Sequence, residues 1–235
     1  MRTWATPWTV GGQGQDDGTW SLALPYTRSM TMDVRIEPIV LQGRHVRLEP
    51  MSRDHLAGLT AAGRAARIWR WMPLDGSTPE GMLQLVDGAL AAREAGSEVP
   101  FVTIEQATGR VVGSTRYLAL AAAHLRLEIG WTWIDPEMQR TAVNTEAKLL
   151  GLGHAFDTLG LRRVEFKTDA LNEQSRAAIL GIGAQFEGIF RKHMVMANGR
   201  ARDSAYYSVI DTEWPDVRAH LQARLARHHP EEGSR

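Results

Sequence analysis

The sequence predicts an α+β fold built on a mixed, mostly antiparallel sheet. Some segments alternate apolar and polar residues as strands do, and others repeat apolar residues at helical spacing. A third observation is the strand–helix–strand succession over residues 125–168, because two strands joined through a helix run parallel in one sheet. The chain therefore combines antiparallel strands with one parallel crossover.

The composition is that of an ordinary soluble globular protein. The chain has 235 residues, 43% hydrophobic and 23% charged, which suits one domain of about 200 residues. It has no cysteine, which excludes disulfides, thiolate nucleophiles and cysteine-based zinc sites and favours a cytoplasmic location. The formal net charge is zero, and no apolar run approaches the roughly 20 residues of a membrane span. We therefore expect no metal and no nucleic-acid or membrane partner.

Both ends of the chain differ from the region between them. Residues 1–35 include a polar, glycine-rich stretch at 11–18, so we expect a flexible N-terminal extension, whose tryptophans leave a docking role open. Residues 36–228 carry the periodic segments and form the predicted domain. Residues 229–235 form a short tail.

The first part of the domain predicts a hairpin, two helices and three strands. Residues 39–48 indicate a short hairpin or bent strand. Ser52 is a favourable N-cap for the first helix, and Thr78-Pro79-Glu80 begins the second, because proline is favoured in a first helical turn. Strands follow at residues 101–104, 110–115 and 125–133, and alternation in the last of these places Leu127, Ile129, Trp131 and Trp133 on one face.

The second part predicts helices and strands in turn. A helix from near Asn144 to Leu159 ends at Gly160, a natural residue for a helix C-terminus. The remaining predicted elements are a strand at 163–168, a helix at 173–180, two strands at 184–195 and 201–210, and a final helix that starts at Glu213.

The junction at residues 133–147 is the most informative stretch. A strand ends, a turn of small and polar residues follows, and a helix begins. The first N–H groups of a helix have no partner within it and lie at the positive end of its dipole, so they suit a phosphate. Arg140 adds a charge, and Thr141, Asn144 and Thr145 add hydrogen bonds. Alone this signal is weak, because most helix starts bind no ligand.

The succession of motifs around the junction is more specific. Leu127-Glu128-Ile129-Gly130-Trp131 is followed by residues 139–147, and then by Val164-Glu165-Phe166-Lys167-Thr168 with Asn172 and Ser175. This succession resembles the GNAT superfamily of acyl-CoA N-acyltransferases, and within it the RimJ/RimL-type group, which contains ribosomal-protein N-terminal acetyltransferases. The resemblance implies a six- to seven-stranded sheet with helices on both faces and a splayed parallel strand pair.

The resemblance also implies a site for acetyl-CoA. The pantetheine arm would enter the gap between the splayed strands and pair with the backbone near Trp131, Trp133 and Ile134. Asn172 would contact the pantetheine, with Ser175 and Arg176 near the nucleotide. The pyrophosphate would bind the turn formed by Gln139, Arg140, Thr141, Ala142, Val143, Asn144 and Thr145. The family's turn has glycine at position 142 and glycine or alanine at position 144, so the departures here put its backbone shape in question.

For the chemistry, the resemblance implies direct attack of a primary amine on the thioester in a ternary complex. A base must take a proton from the ammonium, and an acid can protonate the leaving thiolate. Glu128 is the candidate base; the competing interpretation pairs it with a cation such as Arg126. Many members use a tyrosine as the acid, and this chain has Ile179 at that position.

The acceptor is expected to be a protein N-terminal amine or a small-molecule amine. Two alternatives stay open. One keeps the fold but uses another acyl-CoA such as succinyl-CoA, which a basic patch opposite the thioester would favour. The other is a non-catalytic CoA-binding sensor or interaction module. A homodimer through the last strands and helix is a further open possibility.

Overall fold

The structure is a computed structural model that describes residues 36–228. The predicted extension at 1–35 and the tail at 229–235 lie outside the described residues. The strands are β1 (Leu41–Gln42), β2 (Val46–Pro50), β3 (Val99–Glu105), β4 (Val111–Ala121), β5 (Arg126–Ile134), β6 (Arg163–Asp169), β7 (Gln185–Val195) and β8 (Ala201–Ile210). The helices are α1 (Leu56–Ala62), α2 (Pro79–Glu94), α3 (Ala142–Gly153), α4 (Glu173–Gly181) and α5 (Trp214–Ala226).

The described strands form one mixed sheet in the order β1-β2-β3-β4-β5-β6-β8-β7. Only β5 and β6 pair in parallel, and α3 connects them, which confirms the predicted crossover. The other neighbouring pairs are antiparallel. The fold is the mixed α+β architecture that the sequence predicts.

The sheet has eight strands rather than six to seven because the first hairpin divides into β1 and β2. The carboxylate of Glu146 on α3 holds the turn between them. It accepts the backbone N–H groups of Arg44, His45 and Val46 at 2.9, 2.6 and 2.8 Å. Glu146 therefore anchors an element about a hundred residues away.

A bulge interrupts β5 at Trp131, whose φ of 50° is left-handed. There β5 places two residues opposite one residue of β4, so the side chains beyond it change faces. Leu127 and Ile129 lie in the core under α3, whereas Trp133 packs in the other core against Trp69. The prediction of one continuous apolar face was therefore wrong beyond the bulge.

Helix α3 differs from the prediction at both ends. It begins at Ala142 rather than near Asn144, because Thr141 is its N-cap. It ends at Gly153, and a π-helical turn over His154–Thr158 replaces the expected continuation. Gly160 then has a φ of 63°, in agreement with its predicted place after the helix.

Two buried clusters lie on opposite faces of the sheet, since alternate residues of β3 belong to different clusters. The first contains residues of α3, α5 and the central strands. The second contains residues of α1, α2 and the segment 66–71. Helices thus cover both faces, as predicted, and the gap between β5 and β6 lies between the two layers.

Candidate functional site

Strands β5 and β6 separate soon after they meet. They pair only from Arg126 to Glu128 on β5 and from Arg163 to Glu165 on β6. β5 then continues to Ile134 and β6 to Asp169 without pairing with each other. The backbone groups along this gap are free to pair with an inserted extended chain, as an unpaired strand edge does.

The N-terminus of α3 follows the open end of this gap. Thr141 caps the helix, since its hydroxyl accepts the N–H of Val143 at 3.3 Å and donates to the carbonyl of Met138 at 2.8 Å. The preceding residue, Arg140, has a φ of 64° and an exposed side chain. Helix geometry leaves the other first-turn N–H groups directed outward, which is the arrangement that binds anions.

The loop before α3 contacts α4 across the open end of the gap. The Gln139 side-chain oxygen accepts from Gln174 at 3.0 Å. Asn172 is the N-cap of α4, and its side-chain oxygen accepts the N–H of Ser175 at 3.1 Å. The structure thus brings the two predicted cofactor segments, 139–145 and 172–176, next to each other.

Three of the predicted cofactor residues also have structural contacts. Arg176 donates to the Tyr207 hydroxyl at 3.0 Å and to the Ala170 carbonyl at 3.2 Å, which ties it to the domain. The Trp133 ring is buried against Trp69, with centroids 5.1 Å apart, so only its backbone can face the gap. Trp131 is half-buried under the Arg116 guanidinium, 4.6 Å from its ring centroid.

A lysine of α3 with no marking signal in the sequence lies next to the residues of β5 and β6 that border the gap. The Lys148 ammonium donates to the Thr132 hydroxyl of β5 at 2.8 Å and lies 6.0 Å from the Phe166 ring of β6. Its side chain is enclosed, and burial lowers its pKa to about 7. Thr132 in turn bonds the hydroxyl of Thr115 at 2.8 Å. Lys148 is therefore a buried cation in contact with both separated strands.

Glu128 lies at the point where the strands separate. Its side chain is only 4% exposed, and its carboxylate pairs with Lys167 on β6 at 2.9 Å. Burial raises the pKa of Glu128, while Lys167 acts in the opposite direction. The competing interpretation of Glu128 as a carboxylate paired with a cation thus holds with Lys167 as the cation, while Arg126 binds Glu165 at 3.1 Å. A carboxylate with a raised pKa beside a gap is suited to proton transfer.

Polar residues of the last hairpin surround Glu128 on the same side of the sheet. His193 on β7 contacts the Ser204 hydroxyl at 3.1 Å and the Tyr206 hydroxyl at 3.3 Å. Burial, followed by the charges of Lys167 and Arg202, lowers the pKa of His193, so its neutral form is favoured. These hydrogen bonds give His193 a structural role in the last hairpin.

Segment 66–71, which follows α1 and contains Trp69 and Trp71, contacts the last hairpin. Trp69 belongs to the core and donates to the Gly63 carbonyl at 2.7 Å. Trp71 faces the last hairpin, and the Arg200 guanidinium lies 5.7 Å from its ring centroid. Arg200 also pairs with the buried Asp169 at the end of β6. These contacts join Trp71 to the last hairpin and to the end of β6.

Comparison with known proteins identifies the family. Residues 45–185 match the family described as acetyltransferase (GNAT) domain. The chain belongs to the GNAT acetyltransferase family. A GCN5-related N-acetyltransferase from Brucella melitensis shares its fold with a TM-score of 0.78 and 33% identity, over 86% of this chain and 91% of that one.

Two further relatives mark the extent of the likeness. The N-acetyltransferase YoaA of Bacillus subtilis, named as uncharacterized, is 34% identical over 103 residues, which are 44% of this chain and 57% of YoaA. The chain thus spans little more than half the length of that relative. RimJ of Mycobacterium smegmatis, solved with CoA-disulfide, has a TM-score of 0.66 at 24% identity, over 81% of this chain and 93% of that one, which shows a shared fold.

The structure gives the conformation of the two residues that depart from the predicted phosphate turn. Ala142 and Asn144 are both inside α3, and neither has a positive φ. The left-handed residue of this turn is Arg140, so the conformational freedom of glycine is not required at 142 or 144. Within residues 36–228 no helix is long and apolar enough to cross a membrane.

Proposed function

We propose that this GNAT protein transfers an acetyl group from acetyl-CoA to a primary amine by direct attack in a ternary complex. The observation that carries the proposal is the gap between β5 and β6, which opens beside a capped helix start and has the buried carboxylate of Glu128 at its closed end. The family membership of residues 45–185 supports it. The acceptor would be a protein N-terminal amine or a small amine.

The cofactor would lie along three segments that the fold brings together. Its pyrophosphate would meet the helix start at residues 139–145, where outward N–H groups and the exposed Arg140 favour an anion. Its pantetheine arm would pair with the free edge of β5 between Trp131 and Ile134. Asn172, Ser175 and Arg176 would line the α4 side. A RimJ of the same fold was solved with CoA-disulfide, which supports the binding of a CoA compound by this fold.

For this reaction the protein has to position the amine next to the thioester and to accept one proton from the ammonium group. Glu128 would take a proton from the acceptor ammonium. The amine nitrogen then attacks the thioester carbonyl, the C–N bond forms and the C–S bond breaks. The excess proton on the new amide nitrogen passes to the departing thiolate. Ile179, which packs against the first buried cluster, has no acidic proton to donate in that last step.

The direct test is release of CoA thiol over a panel of amines and short peptides, with wild-type protein and Glu128→Gln. The variant keeps the size of the side chain and removes the base, so we expect kcat to fall by about 10²-fold. Because burial raises the pKa of Glu128, the wild-type rate should rise with pH through that raised value, and this limb should disappear in the variant. Glu137→Gln, at an exposed carboxylate, is the matched control.

The outcomes separate the proposal from its alternatives. CoA binding without thiol release on any amine would favour the non-catalytic CoA-binding module. A pH profile of Glu128→Gln that superimposes on the wild-type profile would refute Glu128 as the base while leaving acetyl transfer in place.

A further inference from the structure

Arg202 on β8 is a buried guanidinium for which the fold provides too few partners. The residue is 5% exposed, and its Nε is buried with no hydrogen-bond partner among residues 36–228. Its neighbours on the same strand face, Ser204 and Tyr206, contact His193 of β7. The charge of Arg202 acts on Glu128, the proposed base, so the arginine is buried close to the proposed site of reaction.

The two carboxylates whose charges act on Arg202 are each paired with another cation. Asp169 binds Arg200, and Glu128 binds Lys167 at 2.9 Å. Both carboxylates act on Arg202 through their charge, but neither forms an ion pair with it within 4.0 Å in the described chain. Each of these carboxylates therefore has another cation as its ion-pair partner, and Arg202 has no ion pair of its own among residues 36–228.

Burial of this guanidinium is not compensated by a bonded partner in the described part of the chain. Burial lowers the pKa of Arg202, and the charges of Asp169 and Glu128 act in the opposite direction. Arg202 and Lys167 also lower the pKa of His193, after the burial of the ring itself. A buried charge without a hydrogen-bonded partner is costly, and such a charge is more easily retained where a ligand neutralises it.

We propose that Arg202 binds a carboxylate of the substrate. The planar guanidinium offers paired N–H donors whose spacing matches the two carboxylate oxygens, which an ammonium group does not. The carboxylate has two possible sources: the far end of the acyl group, as in a dicarboxylic acyl-CoA, or an acidic group on the acceptor amine. This inference rests on the proposed acyl transfer. It predicts that either the acyl group or the acceptor amine carries a carboxylate.

The experiment compares isosteric substrates that differ only in the carboxylate. For the acyl arm, kcat/KM is measured with succinyl-CoA and with butyryl-CoA. For the acceptor arm, acetyl-CoA is held constant and β-alanine is compared with β-alaninamide, and an aspartyl peptide amide with its asparaginyl counterpart. Each pair is measured on wild type, Arg202→Met, Arg202→Lys and Arg218→Met, an exposed arginine of α5 that serves as control.

We expect wild type to prefer the carboxylate by about tenfold or more in one arm, and that arm identifies the source. Arg202→Met should bring the preference within about twofold, Arg202→Lys should keep part of it, and Arg218→Met should leave it unchanged. Thermal unfolding followed by circular dichroism verifies that each variant is folded. If Arg202→Met does not fold, the carboxylate preference of Arg202→Lys is compared with that of wild type, and an undiminished preference in Arg202→Lys contradicts the assignment.

Two results would overturn the assignment: wild type without a preference in either arm, or a preference that Arg202→Met retains in full. If wild type turns over none of the substrates, their binding affinities are measured by calorimetry instead of kcat/KM. Equal affinities within every pair would also overturn the assignment of Arg202. Failure to bind CoA at all would instead contradict the proposed function, so the two failures are distinguishable.

Discussion

Replacing Lys148 by methionine should stabilise the protein and change how its stability depends on pH. Methionine has a similar length and fills the same space without a charge. In the described chain the ammonium has one hydrogen bond, to Thr132, and no carboxylate within ion-pair distance. Thr132 keeps its second bond, to Thr115, when the ammonium is removed.

The magnitude follows from the pKa of Lys148, which burial lowers from 10.5 to about 7. At 1.36 kcal/mol per pKa unit, holding the charged form in the fold costs at most roughly 5 kcal/mol. Relaxation around the site reduces that cost, so we expect Lys148→Met to raise the free energy of unfolding by about 2–4 kcal/mol at pH 6.

The sign of the pH dependence is fixed by linkage. Below pH 7 the lysine is protonated in both the folded and unfolded states, so the full cost is present. Between about pH 7 and pH 10.5 the unfolded chain binds a proton that the folded protein has released, and wild-type stability therefore rises with pH. The advantage of Lys148→Met should shrink across the same window.

Urea unfolding of wild type, Lys148→Met and Lys192→Met at pH 6, 7.5 and 9 measures this directly. Lys192 is an exposed lysine of β7, and its replacement should change stability by less than about 0.5 kcal/mol. The reasoning is refuted if Lys148→Met is less stable than wild type at pH 6, or if its advantage is the same at all three pH values.

Two further changes test the anchor of the first hairpin and the cap of α4. Glu146→Gln replaces an acceptor of three backbone N–H groups by one that can serve fewer, so urea unfolding should show a loss of about 2–4 kcal/mol; an unchanged midpoint would contradict the anchoring role. Asn172→Ala should lose about 1 kcal/mol of stability with the helix cap and about tenfold in acetyl-CoA affinity, whereas Asn172→Asp keeps the cap but replaces the amide donor by a negatively charged acceptor. Full CoA affinity in Asn172→Asp would remove Asn172 from the cofactor site.

Local signals in the sequence predict the order of the elements well. Thr78 and Pro79 mark the start of α2 because a cap and a proline act within one turn, and the side chain of Thr78 does accept the N–H of Gly81. Gly160 marks the end of the segment after α3 for a similarly local reason. The parallel crossover follows from connectivity alone, since a helix separates two adjacent strands.

Features that depend on distant contacts were not predictable. The bulge at Trp131 leaves the apolar alternation of the sequence intact, so nothing in the pattern shows that Trp133 changes faces. Nothing in the sequence distinguishes Lys148 and Arg202 from the charged surface residues of a helix and a strand. Only the folded structure shows that both are buried. Their charge and burial together mark them as functional candidates, and that combination exists only in three dimensions.

We infer that the gap between β5 and β6 receives acetyl-CoA, with the pyrophosphate at the start of α3. Calorimetric titration of acetyl-CoA into the purified wild-type protein measures this binding without depending on the acceptor. The structure predicts saturable binding of one acetyl-CoA per chain, weakened about tenfold by Asn172→Ala at the facing helix. The absence of measurable binding by the folded wild-type protein would contradict the claim.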